Sequence, residues 1–174
     1  MLVEHLGHSP RIHPDAVVAP GAVVSGDVTI GADCQVLHGA VISAEGGPIV
    51  LGEHVIVMEN AVLRASSSDP LRIGDHCLVG PLASISGARI GDEVFIATGA
   101  RIFNGAIVGD RSEVRINAVV HLRTGLPAGS VVPIGWVAVG TPAELFPPER
   151  HDEIWARQSQ LDFPGYVFGL DRAT

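Results

Sequence analysis

The sequence predicts an all-β solenoid, a parallel β-helix followed by one α-helix. Three observations predict it: aliphatic residues return every six positions, a small or aliphatic residue follows four places later, and turn residues separate the units. The period is almost unbroken through Ile73, Val79, Ile85, Ile90, Ile96, Ile102, Val108, Val114 and Val120. A period of six fits a short strand plus a tight turn, with the aliphatic side chain always pointing inward. Because one unit cannot bury its apolar face alone, stacked units must form a continuous core.

The repeat begins at Ile12 and is interrupted twice. The first break covers residues 44–48, and the second covers residues 65–72, which read ASSSDPLR and have loop composition. At three hexapeptides per coil, residues 12–143 predict about seven coils. We therefore divide the chain into a β-helix domain, 1–147, and a C-terminal helix with an aromatic tail, 148–174.

The C-terminal segment is predicted to be helical because Pro147 and Pro148 can open a helix whose first turn is acidic. One face should pack along the prism, and it carries Ile154, Trp155, Gln158 and Leu161. The aromatic residues of the tail are expected to cover the prism or a neighbouring subunit; they are Phe163, Tyr166 and Phe168.

Composition and charge exclude several classes of function. The formal net charge of −8 argues against a surface for nucleic acid or anionic membrane, since phosphate binding needs a basic face. No apolar run approaches the ~18 residues of a membrane span, and the start MLVEHLGHSP lacks a signal-peptide pattern, so a cytoplasmic location is expected. Cys34 and Cys77 occupy inward positions of the repeat and are predicted to be buried free thiols.

Five segments resemble the γ-carbonic anhydrase-like branch of the left-handed β-helix superfamily. They are HGAVIS (38–43), VIVMENAVLR (55–64), the Asp69-Pro70 loop, RIGDHCLVGPLASISGARIGD (72–92) and VPIGWVAVGTPAEL (132–145). The resemblance implies a left-handed coil, although general handedness rules favour right-handed crossovers. It also implies a C-terminal helix packed along the prism, and a homotrimer whose active sites lie in clefts between subunits.

The resemblance also implies three histidine ligands for a catalytic zinc, and all three are missing here. Arg64, Pro81 and Ser86 occupy their positions. Arginine stays protonated, proline offers no side-chain donor, and a lone serine hydroxyl is a poor ligand. We therefore expect no zinc cofactor and no carbonic anhydrase activity, because no metal lowers the pKa of a bound water.

The residues around the lost metal site also depart from the family pattern. The family's Arg-Gly-Asp reads Ser-Ala-Glu at residues 43–45, and its Gln-Asp reads Met-Glu at 58–59. A carboxylate near an arginine can act as an acid or base of tuned pKa, or form a carboxylate-binding pocket. An ion-pair network that holds the trimer is the alternative. The cleft expected between subunits contains Glu45, Glu59, Arg64 and Ser86, with Pro81 from the adjacent subunit.

Eight histidines remain, and we single out His38 for a candidate role. His54 and His76 occupy turn positions, where solvated polar residues are ordinary. His38 and His121 are predicted to face outward on flat sides of the prism. His38 takes a position where the family often has an aromatic residue near the site.

Three functions stay open on the sequence. The first is a γ-carbonic anhydrase-like homotrimer without zinc that binds a small, anionic ligand in its subunit cleft or serves as a scaffold. The second is a hexapeptide acyltransferase using acyl-CoA, a class whose histidine base lies in a long inserted loop. Residues 65–72 contain no histidine, so His38 or His121 would have to substitute. The third is a metal-free hydrolase or lyase with Glu59 or Glu45 as base.

Overall fold

The computed structural model describes residues 1–160 and confirms the predicted left-handed parallel β-helix with one short C-terminal helix. Each coil contributes one strand to each of three sheets. In residues 1–160 the first sheet holds nine strands, and the second and third hold seven each. The solenoid has about eight turns, against a prediction of about seven, because the first sheet holds eight parallel strands.

The strands are two to four residues long. The first sheet contains β1 (Leu2–Val3), β4 (Val23–Ser25), β7 (Val41–Ala44), β10 (Val62–Ala65), β13 (Ser84–Ser86), β16 (Arg101–Ile102), β19 (Val119–Val120), β22 (Val137–Val139) and the antiparallel β23 (Glu144–Phe146). The second sheet contains β2 (Arg11–Ile12), β5 (Val28–Ile30), β8 (Ile49–Leu51), β11 (Leu71–Ile73), β14 (Arg89–Ile90), β17 (Ile107–Val108) and β20 (Gly125–Leu126). The third contains β3 (Val17–Val18), β6 (Gln35–Val36), β9 (Ile56–Val57), β12 (Leu78–Val79), β15 (Phe95–Ile96), β18 (Glu113–Val114) and β21 (Val131–Val132).

The core consists of aliphatic columns inside the prism. Ile42, Leu63 and Ile85 are neighbours in register on β7, β10 and β13, and each is fully buried. Burying side chains of this size stabilises the fold by about 1.5–3 kcal/mol each. Cys34 and Cys77 are buried free thiols, as predicted, and each donates a hydrogen bond to a backbone carbonyl.

The corner between the second and third sheets is held by a carboxylate ladder, which we call the ladder corner. Asp75 accepts the Glu53 N–H at 2.8 Å, Asp92 accepts the Asp75 N–H at 2.9 Å, and Asp110 accepts the Asp92 N–H at 3.1 Å. A Cβ added to Gly74 would lie 2.1 Å from the Asp92 Oδ1 atom. The recurrent Ile-Gly-Asp of the sequence is therefore explained by this ladder.

The two interruptions of the repeat are shorter than predicted. Ala44 and Ala65 pair with each other as the last residues of β7 and β10, and Leu71 pairs with Ile49 in the second sheet. All four side chains are buried. The loops therefore cover residues 45–48 and 66–70, because the buried strand positions at their edges still belong to the core.

The C-terminal helix is confirmed, but its predicted packing face is only partly correct. A short 3₁₀ helix, Pro148–Arg150, leads into α1 (His151–Gln158), and the Arg150 guanidinium lies 4.5 Å from the centre of the Phe146 ring. Ile154 is half-buried, whereas Trp155 is 65% exposed. Leu161 and the aromatic tail lie outside the described residues.

Candidate functional site

Arg64 stands at the centre of a polar column on the outer surface of the first sheet. It lies in β10, where Leu63 and Ala65 on either side point inward, so the guanidinium projects outward. In register beside it are Ser43 on β7 and Ser86 on β13. The sheet therefore places a hydroxyl on each side of the arginine.

The column opens into a cavity, which we call the Arg64 cavity. Its volume is about 380 Å³, and it opens to solvent. The loop after β10 supplies one wall, and two backbone hydrogen bonds between Ser66 and Asp69 close this loop. The Ser68 hydroxyl also donates to the Asp69 carboxylate at 2.8 Å. The lining residues are Glu45, Arg64, Ala65, Ser66, Ser67, Ser68, Ser86 and Asn104.

The cavity contains one charge of each sign. The Arg64 guanidinium has no hydrogen-bond or ion-pair partner among residues 1–160. Glu45 accepts a hydrogen bond of 2.6 Å from the Ser43 hydroxyl, and the His5 Nε2 atom lies 4.0 Å from its other oxygen. The Ser43 and Ser68 hydroxyls already donate to Glu45 and Asp69. An exposed guanidinium beside the Ser86 hydroxyl and the Asn104 amide can still bind an oxyanion, because these groups donate hydrogen bonds.

Three other residues of the predicted cleft lie elsewhere, on the corner between the third and first sheets, which we call the turn ridge. His38, Glu59 and Pro81 occupy successive turns of this ridge. Backbone hydrogen bonds connect the turns, from the Asn60 N–H to the His38 carbonyl and from the Leu82 N–H to the Glu59 carbonyl. Within one protomer the structure therefore does not bring Glu59 or His38 to the Arg64 cavity. Their place in a cleft between subunits stays a prediction.

The prediction that His38 lies on a flat side is wrong. His38 lies in a corner turn that continues into Gly39, whose φ of +75° helps the chain to turn. His121 follows β19 and lies with its ring centre 6.2 Å from that of Phe103.

The prediction for the other histidine pair is confirmed. His54 and His76 occupy the ladder corner, and their rings stack with centres 4.7 Å apart.

Sequence reasoning missed four polar lining residues of the Arg64 cavity. The sequence around three of them, Ser66, Ser67 and Ser68, indicates only a loop. The fourth, Asn104, occupies an ordinary turn position. The usable signal was the interruption itself, because a loop that leaves a regular solenoid must lie over the neighbouring coils.

The buried thiols are unsuited to nucleophilic chemistry. Burial raises the pKa of Cys77 to about 11, and burial also raises the pKa of Cys34. The thiolate is the reactive form of cysteine, so both residues stay protonated near neutral pH.

The residues at the family's ligand positions do not fit a zinc ion. Arg64 and Ser86 are adjacent but offer a guanidinium and a hydroxyl, and Pro81 offers no donor. Across residues 1–160, no group of three or more histidine, cysteine, aspartate or glutamate side chains is arranged to hold a metal ion. In the same part of the chain, no helix is long and apolar enough to cross a membrane.

Comparison with known proteins connects these features to two groups. A family model described as bacterial transferase hexapeptide (six repeats) matches residues 9–44. Two mitochondrial γ-carbonic anhydrases of Arabidopsis thaliana are similar to the chain. γ-Carbonic anhydrase 2 is 30% identical over 152 residues, which are 84% of this chain and 52% of the relative. γ-Carbonic anhydrase 1 is 30% identical over 129 residues, which are 71% of this chain and 47% of the relative.

The chain thus spans about half the length of these two curated relatives. The crystal structure of a candidate acetyltransferase from Bacillus cereus superposes with a TM-score of 0.63, covering 91% of each chain at 23% identity. At this identity the likeness supports the fold alone.

The six-residue repeat and the three-sheet prism define a left-handed β-helix, and the hexapeptide family model matches part of it. Within this class the predicted resemblance to γ-carbonic anhydrases is confirmed.

Proposed function

We propose that the protein binds a small anionic molecule in the Arg64 cavity and does not catalyse zinc-dependent hydration of carbon dioxide. The observation that carries this proposal is the unpaired Arg64 guanidinium, which stands beside hydroxyl groups at a position where the resemblance implies a histidine ligand. The cavity thus keeps a positive centre, but as a fixed cation that cannot polarise a bound water as zinc does.

The chemistry of arginine supports an anion over a neutral ligand. A guanidinium stays charged at any physiological pH and presents planar donors that match a carboxylate or phosphate. Among the strand arginines, the Arg11 guanidinium pairs with Asp27 at 2.8 Å and with the Thr29 hydroxyl at 2.9 Å. The Arg64 guanidinium has no such partner in residues 1–160 and lines a cavity, so its partner is proposed to be a ligand.

We also propose a homotrimer in which the turn ridge of one subunit covers the Arg64 cavity of the next. Leu82 and Ile134 lie on the ridge, and each is 61% exposed. Exposed apolar side chains of this size, repeated along one corner, are typical of a surface that another chain covers. Such a trimer would bring Glu59, His38 and Pro81 of one subunit towards the Arg64 of another.

Titration with acetate and with phosphate, followed by calorimetry at constant ionic strength, tests the proposal. We expect saturable binding by the wild type and at least about a tenfold loss of affinity in Arg64→Gln. Arg72→Gln is the matched control, since Arg72 is also an exposed strand arginine, but it lies on the second sheet. Equal affinities in wild type and Arg64→Gln would refute the anion site.

Acyl transfer from acyl-CoA is the second candidate, because the matching family model describes bacterial transferases. The loop at 66–70 contains no histidine, so His121 beside Phe103 would have to act as the base. Saturable acetyl-CoA binding that weakens in Phe103→Ala would favour this candidate over the first. No binding of acetyl-CoA at millimolar concentration would exclude it.

A further inference from the structure

The Arg64 cavity contains two opposite charges that do not pair with each other. Glu45 and Arg64 both line it, yet no ion pair of 4.0 Å or less joins them. An ion pair between exposed side chains contributes only about 0–1 kcal/mol, so a ligand that meets both charges can compete with it. Both charges are therefore available to one ligand.

The surroundings of Glu45 explain how the two charges stay apart. Its carboxylate is held from one side by the Ser43 hydroxyl at 2.6 Å, and His5 of the N-terminal arm approaches the other oxygen at 4.0 Å. Arg64 is fixed at its backbone by two neighbouring strands of the first sheet. The cavity therefore has an anionic end at Glu45 and a cationic end at Arg64, and no ion pair joins the two.

We infer that the ligand of the Arg64 cavity is a small zwitterion of the amino-acid type. This inference rests on the proposed anion-binding function and names the class of its ligand. The carboxylate of the ligand pairs with the Arg64 guanidinium, and its ammonium group pairs with the Glu45 carboxylate. The serine hydroxyls and the Asn104 amide that line the same cavity hydrogen-bond to the ligand's remaining polar atoms.

The charge pattern favours this class over two others. A phosphate dianion would be attracted by Arg64 but repelled by Glu45 in the same cavity, and an uncharged sugar would leave both charges unpaired. A simple monocarboxylate satisfies only the arginine. A ligand with both charges is the one that compensates each end of the cavity.

Calorimetric or NMR titration with four probes tests the inference: glycine, acetate, methylammonium, and β-alanine as a longer zwitterion. We expect the tighter of the two zwitterions to bind at least about tenfold more tightly than acetate, and methylammonium to bind most weakly. Glu45→Gln should reduce the advantage over acetate to less than about twofold while acetate affinity is kept or improved. Glu53→Gln, an exposed glutamate at the ladder corner, is the matched control and should leave all affinities unchanged.

The outcomes separate this inference from the function on which it rests. Acetate binding that depends on Arg64, without any preference for the zwitterions, would overturn the zwitterion and leave the anion site standing. Absence of binding for every probe in a folded wild type would overturn both. Zwitterion preference that survives Glu45→Gln would also overturn the role given to Glu45.

Discussion

The ladder corner and the Arg64 cavity lie in the same coils, yet they use their charged residues in opposite ways. At the ladder corner, each of Asp75, Asp92 and Asp110 accepts a backbone N–H of the preceding coil. At the Arg64 cavity, the Arg64 guanidinium has no partner among the residues that the structure describes, and the Glu45 carboxylate contacts only neighbouring side chains. The carboxylates of the ladder corner hold neighbouring coils together, whereas the charges of the Arg64 cavity remain available to a ligand.

The difference follows from the regularity of the sequence. Where the six-residue period is kept, each coil repeats the geometry of the last, so a carboxylate can cap the same backbone group every time. Where the period is interrupted at 45–48 and 66–70, the chain leaves the prism and no repeated hydrogen bond fixes the side chains. The interruptions are therefore where a solenoid can build a site without weakening its core.

The largest expected effect is a loss of stability at the ladder corner. A Cβ at Gly74 would lie 2.1 Å from the Asp92 Oδ1 atom and 2.7 Å from the backbone of Gly91. Because the backbone of the next coil must move, Gly74→Ala should lower the free energy of unfolding by about 3 kcal/mol. Urea unfolding measures the change.

Gly46→Ala is the matched control from the cavity side. The nearest atom to an added Cβ there is the Ser67 N at 3.4 Å, which is ordinary contact. We expect a change within about 0.5 kcal/mol. Equal losses in the two variants would mean that the two regions do not differ in this way.

The second-largest expected effect is a loss of stability at alkaline pH, which arises from Cys77 beside the ladder corner. Burial raises the pKa of Cys77 from its ordinary value of 9.0 to about 11. The unfolded chain therefore releases this proton first, so the stabilisation is complete below about pH 9 and is lost as the pH rises through 11. The loss should approach about 2 kcal/mol.

Urea unfolding of the wild type and of Cys77→Ala between pH 8 and 10.5 measures this loss of stability. The free energy of unfolding of Cys77→Ala should be lower at pH 8, because a buried side chain is shortened. It should also fall less steeply than that of the wild type as the pH rises. Parallel curves for the two proteins would contradict the assignment to Cys77.

The smallest effect compares one carboxylate from each region. Asp92→Ala leaves the Asp75 N–H without its acceptor at an exposed corner and should cost about 1 kcal/mol. Glu45→Ala breaks a hydrogen bond between exposed side chains, so its change should stay within about 0.5 kcal/mol. Thermal unfolding of both variants at neutral pH provides the comparison, and a larger loss for Glu45→Ala would reverse it.

Much of the fold could be predicted from the sequence because one physical rule repeats. An inward aliphatic every six residues specifies the columns that contain Ile42, Leu63 and Ile85, and even the weaker register at Leu126 and Val132 is buried as predicted. This rule makes no prediction for segments outside the six-residue repeat. It could not predict that Trp155 stays exposed, because helical spacing does not say how far a helix lies from the prism.

The candidate site was predictable only in part. The resemblance indicated Arg64 and Ser86, and the strand register confirms that they are neighbours. Ser66 and Asn104 meet because a loop lies across other coils, and no local pattern encodes that contact. His38 was misplaced because a position two residues after a buried aliphatic can be either the end of a strand or the start of a turn.

The central claim is that a fixed arginine has replaced a metal in this cavity. The most direct test is the metal content per protomer after untagged protein is exposed to zinc and cobalt and then desalted. Arg64→His/Pro81→His/Ser86→His serves as the positive control, since it restores the three imidazoles that the resemblance implies. We predict a metal content near zero for the wild type and uptake by the triple variant. One metal per wild-type protomer would contradict the account and reopen hydration chemistry.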